Sequence, residues 1–364
     1  MIERRRFLAK ATGVVAAAAA AAVVDAPNVI AQPKVQWRMS TAYGTTLDML
    51  QGVANRLAQV VEETSGGRFR IEVFPGGQIM APFACFDAAS QGTIEAFMGV
   101  SSFWSSKEPA MEWFMSVPFG MNPQGMSAWF YQGDGLKLWE ETYAPYNLVP
   151  RPGPGMAPQM AGWFRKKINA VSDYKGFKIR IAGLGGKVYT KAGATAVVTP
   201  GSEVYAALER GVIDACEWMG PYEDMKMSLH NTARYYYYPG WHEPGTMLAF
   251  GFNRKAYDAL PVDLQRTLDH AVTVTPVFGL TDFHARNAIA LEKLKTDFKG
   301  KVEVIQLPAP VLRDLKKLSA EVVREEAEKT PLARKVNASF AKFQALAGPW
   351  DRVAEGAYHQ LVAV

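Results

Sequence analysis

With 364 residues, 49% of them hydrophobic and 12% aromatic, the chain can bury the cores of two domains and is neither disordered nor fibrous. A formal charge of +5, with no run of five or six basic residues and no recognisable reading motif, argues against a nucleic-acid partner. Two cysteines, Cys85 and Cys216, are not a disulfide framework in a chain this long. Both are expected to be buried and free, with a bridge between them as the alternative.

The N-terminus places Arg4-Arg5-Arg6-Phe7-Leu8 and Lys10 ahead of an Ala/Val run without charge that reaches Val24, and Val29-Ile30-Ala31 stands before Gln32. A basic head, an apolar stretch short for a membrane span and a cleavage point make residues 1–31 an export signal. The paired arginines suggest the twin-arginine route, and an uncleaved membrane anchor is the competing reading. This segment holds four basic and two acidic side chains, so its removal takes the charge to about +3. No other stretch is long and apolar enough to cross a bilayer.

Down the rest of the chain, residues 35–41 alternate as a strand, and Ala42-Tyr43-Gly44-Thr45-Thr46 leads to an amphipathic helix over about 47–64 that Ser65-Gly66-Gly67 ends. A second strand over 69–74 is closed by Pro75-Gly76-Gly77, a helix runs through 86–91, and a strand over 93–100 ends at Ser101-Ser102-Phe103-Trp104. The Pro/Gly-rich segment 109–158 holds one helix, 127–143, and a strand that crosses to Arg151-Pro152-Gly153-Pro154-Gly155. Strands are predicted over 159–165, 177–181, 196–199, 212–218, 235–238, 247–253 and 301–306, the one at 247–253 returning to the first sheet. Helices fill 187–193, 202–210, 261–298 and the charged tail 308–364. The alternation implies an α/β protein of mostly parallel sheets with ligand loops at the carboxyl ends of the strands. Repeated crossings imply two interleaved lobes joined by a hinge. The first lobe comprises 32–152 with about 245–275, the second 153–244 with about 276–307, and 308–364 is a helical extension.

Arg180 stands at the end of the strand in Tyr174-Lys-Gly-Phe-Lys-Ile-Arg180-Ile-Ala-Gly183, and glycines at 183, 185 and 186 let the backbone turn and a ligand approach. A guanidinium offers a planar fork matched to a carboxylate, so Arg180 is read as the receptor of a small organic acid, against the plainer reading of a salt-bridge arginine. Catalytic chemistry finds little support. There is no phosphate loop, dinucleotide fingerprint or nucleophile elbow, and the histidines at 230, 242, 270, 284 and 359 lack metal-ligand spacing. Gln159, Glu217 and Glu243 are hard oxygen donors suited to Na⁺, Ca²⁺ or Mg²⁺, unless the two acids make ordinary salt bridges. Tyr43, Trp104, Trp218 and Trp241 are candidate pocket walls or core aromatics.

The ordered set Tyr174-Lys-Gly-Phe-Lys-Ile-Arg-Ile-Ala-Gly183, Gly193-Ala-Thr-Ala-Val-Val-Thr-Pro200 and Glu203-Val-Tyr-Ala-Ala-Leu-Glu-Arg-Gly-Val-Ile-Asp-Ala215 resembles the substrate-binding proteins of tripartite ATP-independent periplasmic (TRAP) transporters, the DctP-type family. The resemblance runs from about 35 to 318 and includes Phe74-Pro-Gly-Gly-Gln78 and Phe252-Asn-Arg-Lys-Ala-Tyr-Asp-Ala-Leu-Pro261. It implies a periplasmic two-lobed receptor of the type II binding-protein kind, not an enzyme, that hands a carboxylate to membrane permease subunits. Arg180 would grip the carboxylate. Gln159, Cys216-Glu217-Trp218, Trp241-His242-Glu243 and the long tail are similar to the branch that binds 2-oxo acids such as pyruvate. In that branch Gln159 and Glu217 would hold a cation (Na⁺ or Ca²⁺) through side chains, Trp218 through its carbonyl and Glu243 through a carboxylate, with Gln159, Tyr43, Trp104 and Trp218 against the ligand. Thr199-Pro200 replaces the family's common Asn-Pro, which argues against sialic-acid and C4-dicarboxylate ligands. A 2-hydroxy acid such as lactate, another carboxylate, and an exported enzyme acting on small organic acids stay as alternatives. The tail in that branch can pair two subunits, which makes a homodimer through the C-terminal helix one reading and charged helices packed against their own domain the other.

Overall fold

The computed structural model describes residues 34–156 and 158–361; the export signal read over residues 1–31 lies outside them. Val35–Thr41 (β1) buries Trp37 and Met39 and exposes Gln36 and Arg38, the alternation of a half-buried strand. It pairs in parallel with Phe69–Phe74 (β2) and Ala96–Gly99 (β3). Parallel neighbours require crossovers, and helices Asp48–Thr64 (α1) and Cys85–Gln91 (α2) supply them. α1 turns Leu50, Val53, Ala54, Leu57 and Val61 inward at three- and four-residue spacing.

Where the sequence predicts one helix over 127–143, two form: Pro123–Gln132 (α3) and Gly135–Tyr143 (α4). The break falls at Gly133, whose backbone is extended at φ −108° and ψ −157°. Leu148–Gly155 (β4) follows. The chain then builds a second sheet from Gly162–Phe164 (β5), Lys178–Arg180 (β6), Thr195–Val197 (β7), Ala215–Cys216 (β8) and Tyr235–Tyr238 (β9), with helices Gly183–Lys191 (α5), Gly201–Glu209 (α6) and Pro221–Lys226 (α7) between them. Met247–Asn253 (β10), buried at every position, returns to the first sheet.

Arg254–Asp258 (α8) and the 35-residue helix Val262–Thr296 (α9) lead to Glu303–Gln306 (β11), then Ala309–Ala327 (α10) and Pro331–Asp351 (α11). A five-residue π-helical stretch joins α11 to Ala357–Leu361 (α12).

The first sheet has the order β2-β1-β3-β10-β4 and the second β11-β9-β5-β8-β6-β7. Among the described residues, parallel pairings outnumber antiparallel ones by five to four, so both sheets are mixed. The antiparallel partners are the segments that cross between sheets: β10 lies between β3 and β4, and β5 between β8 and β9. Helix α9, roughly 50 Å long at 1.5 Å per residue, packs on α1 and β4 on one side and on α7 and β11 on the other. Close packing on β4 depends on Gly279, where a Cβ would lie 2.3 Å from Pro154 Cγ. The tail helices are docked rather than free, α10 on α5 and α11 on α3 and α4.

Two strand ends set up the site. β6 and β8 are parallel neighbours with Arg180 opposite Cys216, so Arg180 and the residue after Cys216 emerge at the same edge of the second sheet. Of the strand predicted over 212–218, only Ala215 and Cys216 pair; the ladder's last bond runs from the Glu217 amide to the Arg180 carbonyl at 2.9 Å, and the chain then leaves the sheet.

Candidate functional site

Arg180 ends β6 with only 2% of its surface exposed. Its Nη1 donates to the Glu217 carbonyl at 2.9 Å and its Nε to the Thr199 carbonyl at 3.3 Å, while the guanidinium carbon lies 4.5 Å from the centre of the Trp218 ring. These contacts fix the plane of the fork. Nη2 makes no hydrogen bond to any described residue. Burial lowers the Arg180 pKa from its ordinary value, and the nearby Glu217 charge opposes that shift. The glycines after the arginine are not a loop, as their spacing suggests, but the first turn of α5. Gly183 still adopts φ +70°, and a Cβ there would lie 2.4 Å from Met115 Cε, so glycine brings α5 against the cavity wall.

Two carboxyl groups are buried beside the guanidinium. Glu217 is 1% exposed; its Oε2 lies 3.7 Å from Arg180 Nη1, and its Oε1 has no hydrogen-bond partner among the described residues. Glu243 accepts the Thr246 hydroxyl at Oε2, 2.7 Å. Burial pushes both acids up to about 8, the Arg180 charge opposing the shift at Glu217 and the Glu217 charge adding to it at Glu243. His242 Nε2 approaches Glu217 Oε1 at 3.5 Å, yet burial drives this imidazole down to about 4. A neutral ring beside a carboxyl held high is a polar contact, not an ion pair, and both ring nitrogens lack hydrogen-bond partners among the described residues. One donor atom each from Glu217, His242 and Glu243 falls within 4.8 Å of the others. Gln159 completes the cluster: its Nε2 donates to Thr246 Oγ1 at 3.0 Å, and its Oε1 is buried without a partner among the described residues.

Orphaned Glu217 and Gln159 oxygens next to a second buried carboxyl set two acids against a single guanidinium, one positive charge short of balance when both acids are ionised. Three of the four side chains, Gln159, Glu217 and Glu243, offer hard oxygens, a set that suits Na⁺ or Ca²⁺ better than zinc.

These groups line one side of a small cavity, part of it open to solvent. Tyr43, Gln159, Arg180, Glu217, Trp218 and Glu243 all face it. Burial pushes the Tyr43 phenol far up, so it is a neutral hydrogen-bonding group.

Trp104 does not face the cavity. Its ring is 5.0 Å from Phe86 and 5.1 Å from Phe97, and its Nε1 donates to the Phe83 carbonyl. The short 3₁₀ turn Ser101–Trp104 sends neighbouring Phe103 to the wall instead. Trp241 packs between Phe119 and Tyr189 at 5.6 and 5.2 Å. Val100, Met115, Thr246 and Leu248 also line the space, none marked by a motif. The wall draws on the first sheet (Val100 after β3, Leu248 in β10), on the second (Arg180, Glu217, Trp218), and on the crossing segments that carry Gln159, Glu243 and Thr246.

Two α/β lobes that close a charged cavity at their strand ends, spanned by crossing segments, define a two-lobed solute-binding protein. The sequence matches the family described as bacterial extracellular solute-binding protein, family 7 (DctP), over residues 40–330, and the chain belongs to that family. It is a TRAP-type solute receptor of the extracytoplasmic space rather than an enzyme. It is similar to the monocarboxylate 2-oxoacid-binding periplasmic protein of Nostoc sp., with 37% identity over 331 residues, 91% of this chain and 90% of that one. A TRAP periplasmic solute-binding protein from Pseudoalteromonas atlantica, solved with bound sodium and pyruvate, superposes with a TM-score of 0.87 at 35% identity, covering 90% of this chain and 99% of the other. A TRAP solute-binding protein from Bordetella bronchiseptica, solved as a mixed-occupancy dimer with copurified calcium and picolinate, gives a TM-score of 0.87 at 36% identity, with 90% and 97% covered.

Proposed function

We propose that the chain receives a small 2-oxo or 2-hydroxy monocarboxylate, such as pyruvate or lactate, together with one hard cation, and delivers the acid to a TRAP membrane permease. The observation that carries this reading is a buried guanidinium with an unused Nη2 beside orphaned oxygens of Glu217 and Gln159. Arg180 pairs with the ligand carboxylate. Gln159 and Glu217 present side-chain oxygens, Trp218 its carbonyl and Glu243 a carboxylate oxygen to the cation, with Gln159, Tyr43 and Trp218 against the ligand. A Na⁺ or Ca²⁺ ion held there offsets the two acids and gives the ligand a second positive partner. Val100, Phe103, Met115 and Leu248 take a short alkyl end. A second ligand carboxylate against those side chains would lose its hydration without gaining a partner, which disfavours dicarboxylates. The names of the Nostoc and Pseudoalteromonas relatives support the same ligand class.

The test is a melting-shift screen of pyruvate, lactate, longer 2-oxo acids, picolinate and succinate, with and without Na⁺ or Ca²⁺. Stabilisation by 2-oxo acids that grows with the cation supports the proposal; a shift with succinate alone refutes it.

Three further parts of the reading are proposals. Export follows the twin-arginine route through Arg4-Arg5-Arg6-Phe7-Leu8, and loss of export on replacing Arg5 and Arg6 by lysine is the check. The lobes divide at about 152/153, 244/245 and 275/276, the last point lying inside α9 beside Pro276. The C-terminal helices pair two copies, because Leu346, Trp350, Val353, Tyr358 and Leu361 are 75%, 68%, 71%, 59% and 84% exposed on the last turns of the chain.

A further inference from the structure

The geometry points to Thr246 as the positioning residue that sets which way the Gln159 amide faces in the cation site, an inference that rests on the cation-binding reading above. Thr246 stands where the second crossing segment meets β10, is 3% exposed, and holds the Met156 amide through its own carbonyl at 2.7 Å. A threonine hydroxyl has one proton to give and otherwise only lone pairs. Thr246 gives its proton to Glu243 Oε2 at 2.7 Å, and with the ion bound Glu243 is ionised and can only accept. What remains on Oγ1 is acceptor capacity, so the neighbour on its other side must be a donor. Gln159 meets that demand with Nε2 at 3.0 Å.

Because the amide is planar, seating Nε2 on the threonine commits Oε1 to the other branch, where it is buried among the cavity-lining groups with no hydrogen-bond partner among the described residues. Turned by half a rotation, the amide would set two acceptors against each other at Thr246 and offer N–H groups to a positive ion. Thr246 thus acts through Gln159 and Glu243: one hydroxyl bond orders the carboxylate, the other orders the amide, and the polarity of the first dictates the second. Orienting partners of this kind govern metal affinity from behind the ligands.

Calorimetric titration of the purified protein with Ca²⁺ alone tests this, using wild type, Thr246→Val, Thr246→Ser, Gln159→Glu and the Gln159→Glu/Thr246→Val pair. Thr246→Val is expected to weaken Ca²⁺ binding ~10- to 100-fold, with Thr246→Ser within about threefold of wild type. In the Gln159→Glu background both side-chain oxygens are equivalent, so orientation no longer matters and Thr246→Val should cost less than about threefold. Equal losses in both backgrounds, no rescue by serine, or a valine variant with unchanged Ca²⁺ affinity and only a lower melting temperature would overturn the assignment. Wild type that binds neither Ca²⁺ nor Na⁺ would instead refute the cation reading itself, and this inference with it.

Discussion

Replacing Arg180 by lysine keeps a positive charge at the end of β6 but removes the planar fork. In the native site Nη1 already serves the Glu217 carbonyl at 2.9 Å and Nε the Thr199 carbonyl at 3.3 Å, so the ligand is met by an arginine whose plane is fixed in advance. An ammonium cannot hold the same backbone carbonyl and present two parallel donors to a carboxylate. Losing one charge-assisted hydrogen bond costs about 1.5–3 kcal/mol, or roughly 10- to 100-fold in Kd at 1.4 kcal/mol per decade. Arg180→Ala removes the whole pair and should cost ~2–5 kcal/mol, roughly 30- to 4,000-fold in Kd. Neither change should unfold the protein, because Glu217, already raised to about 8, can take up a proton when its partner is lost. Calorimetry with pyruvate at saturating Ca²⁺ measures the loss, and the ligand-free melting temperature reports the fold. An alanine variant that binds pyruvate as tightly as wild type would refute the placement of the carboxylate on Arg180.

Cation binding should depend on pH with a definite sign. Glu217 and Glu243, raised to about 8 in the cation-free protein, hold protons that the unfolded chain has already released, so their contribution to cation-free stability is full below the ordinary carboxyl range and is lost as pH rises towards 8. The ion needs both acids ionised, so Ca²⁺ affinity and the Ca²⁺-induced melting shift should grow from pH 5.5 to 8; a shift that shrinks over that interval contradicts the site. Phe103→Ala should open the apolar wall and favour longer 2-oxo acids over pyruvate by roughly fourfold per added methylene, read as a ratio of Kd values. Ending the chain after Ala345 removes the exposed apolar turns while keeping the buried Val336 and Phe340. The solution mass should fall from dimer to monomer with pyruvate affinity unchanged, and an unaltered mass would exclude the tail as the interface.

Legibility from sequence followed the range of the interaction concerned. Strand alternation in Val35–Thr41 and Phe69–Phe74, and the helical spacing of Leu50, Val53 and Leu57, are local signals that burial against one face writes directly into the residue order. Arg180 was legible because a strand-end arginine followed by glycines is a local pattern, whereas Gln159, Glu217 and Glu243 were read as hard oxygen donors and their grouping came from the family resemblance. What the residue order could not give is rotation about the local axis. Trp104 and Phe103 are adjacent, and only the short turn that carries them decides which ring enters the core and which meets the cavity. Gly133 ended a helix that periodicity continues, because its extended backbone depends on packing against Trp129 and Phe343. Thr246 carries no motif at all; its part emerges only when β10 and the segment at Gln159 are brought side by side.

The most direct measurement is a calorimetric titration of wild-type protein with pyruvate, carried out in Ca²⁺ and again after chelation with the ionic strength held constant. One molecule bound per chain, with an affinity that falls when the ion is withdrawn, is the expected outcome. Saturable binding of equal strength in both conditions, or heat from a dicarboxylate and none from any monocarboxylate, would contradict a receptor built from a guanidinium and an ion-bridged pair of buried acids.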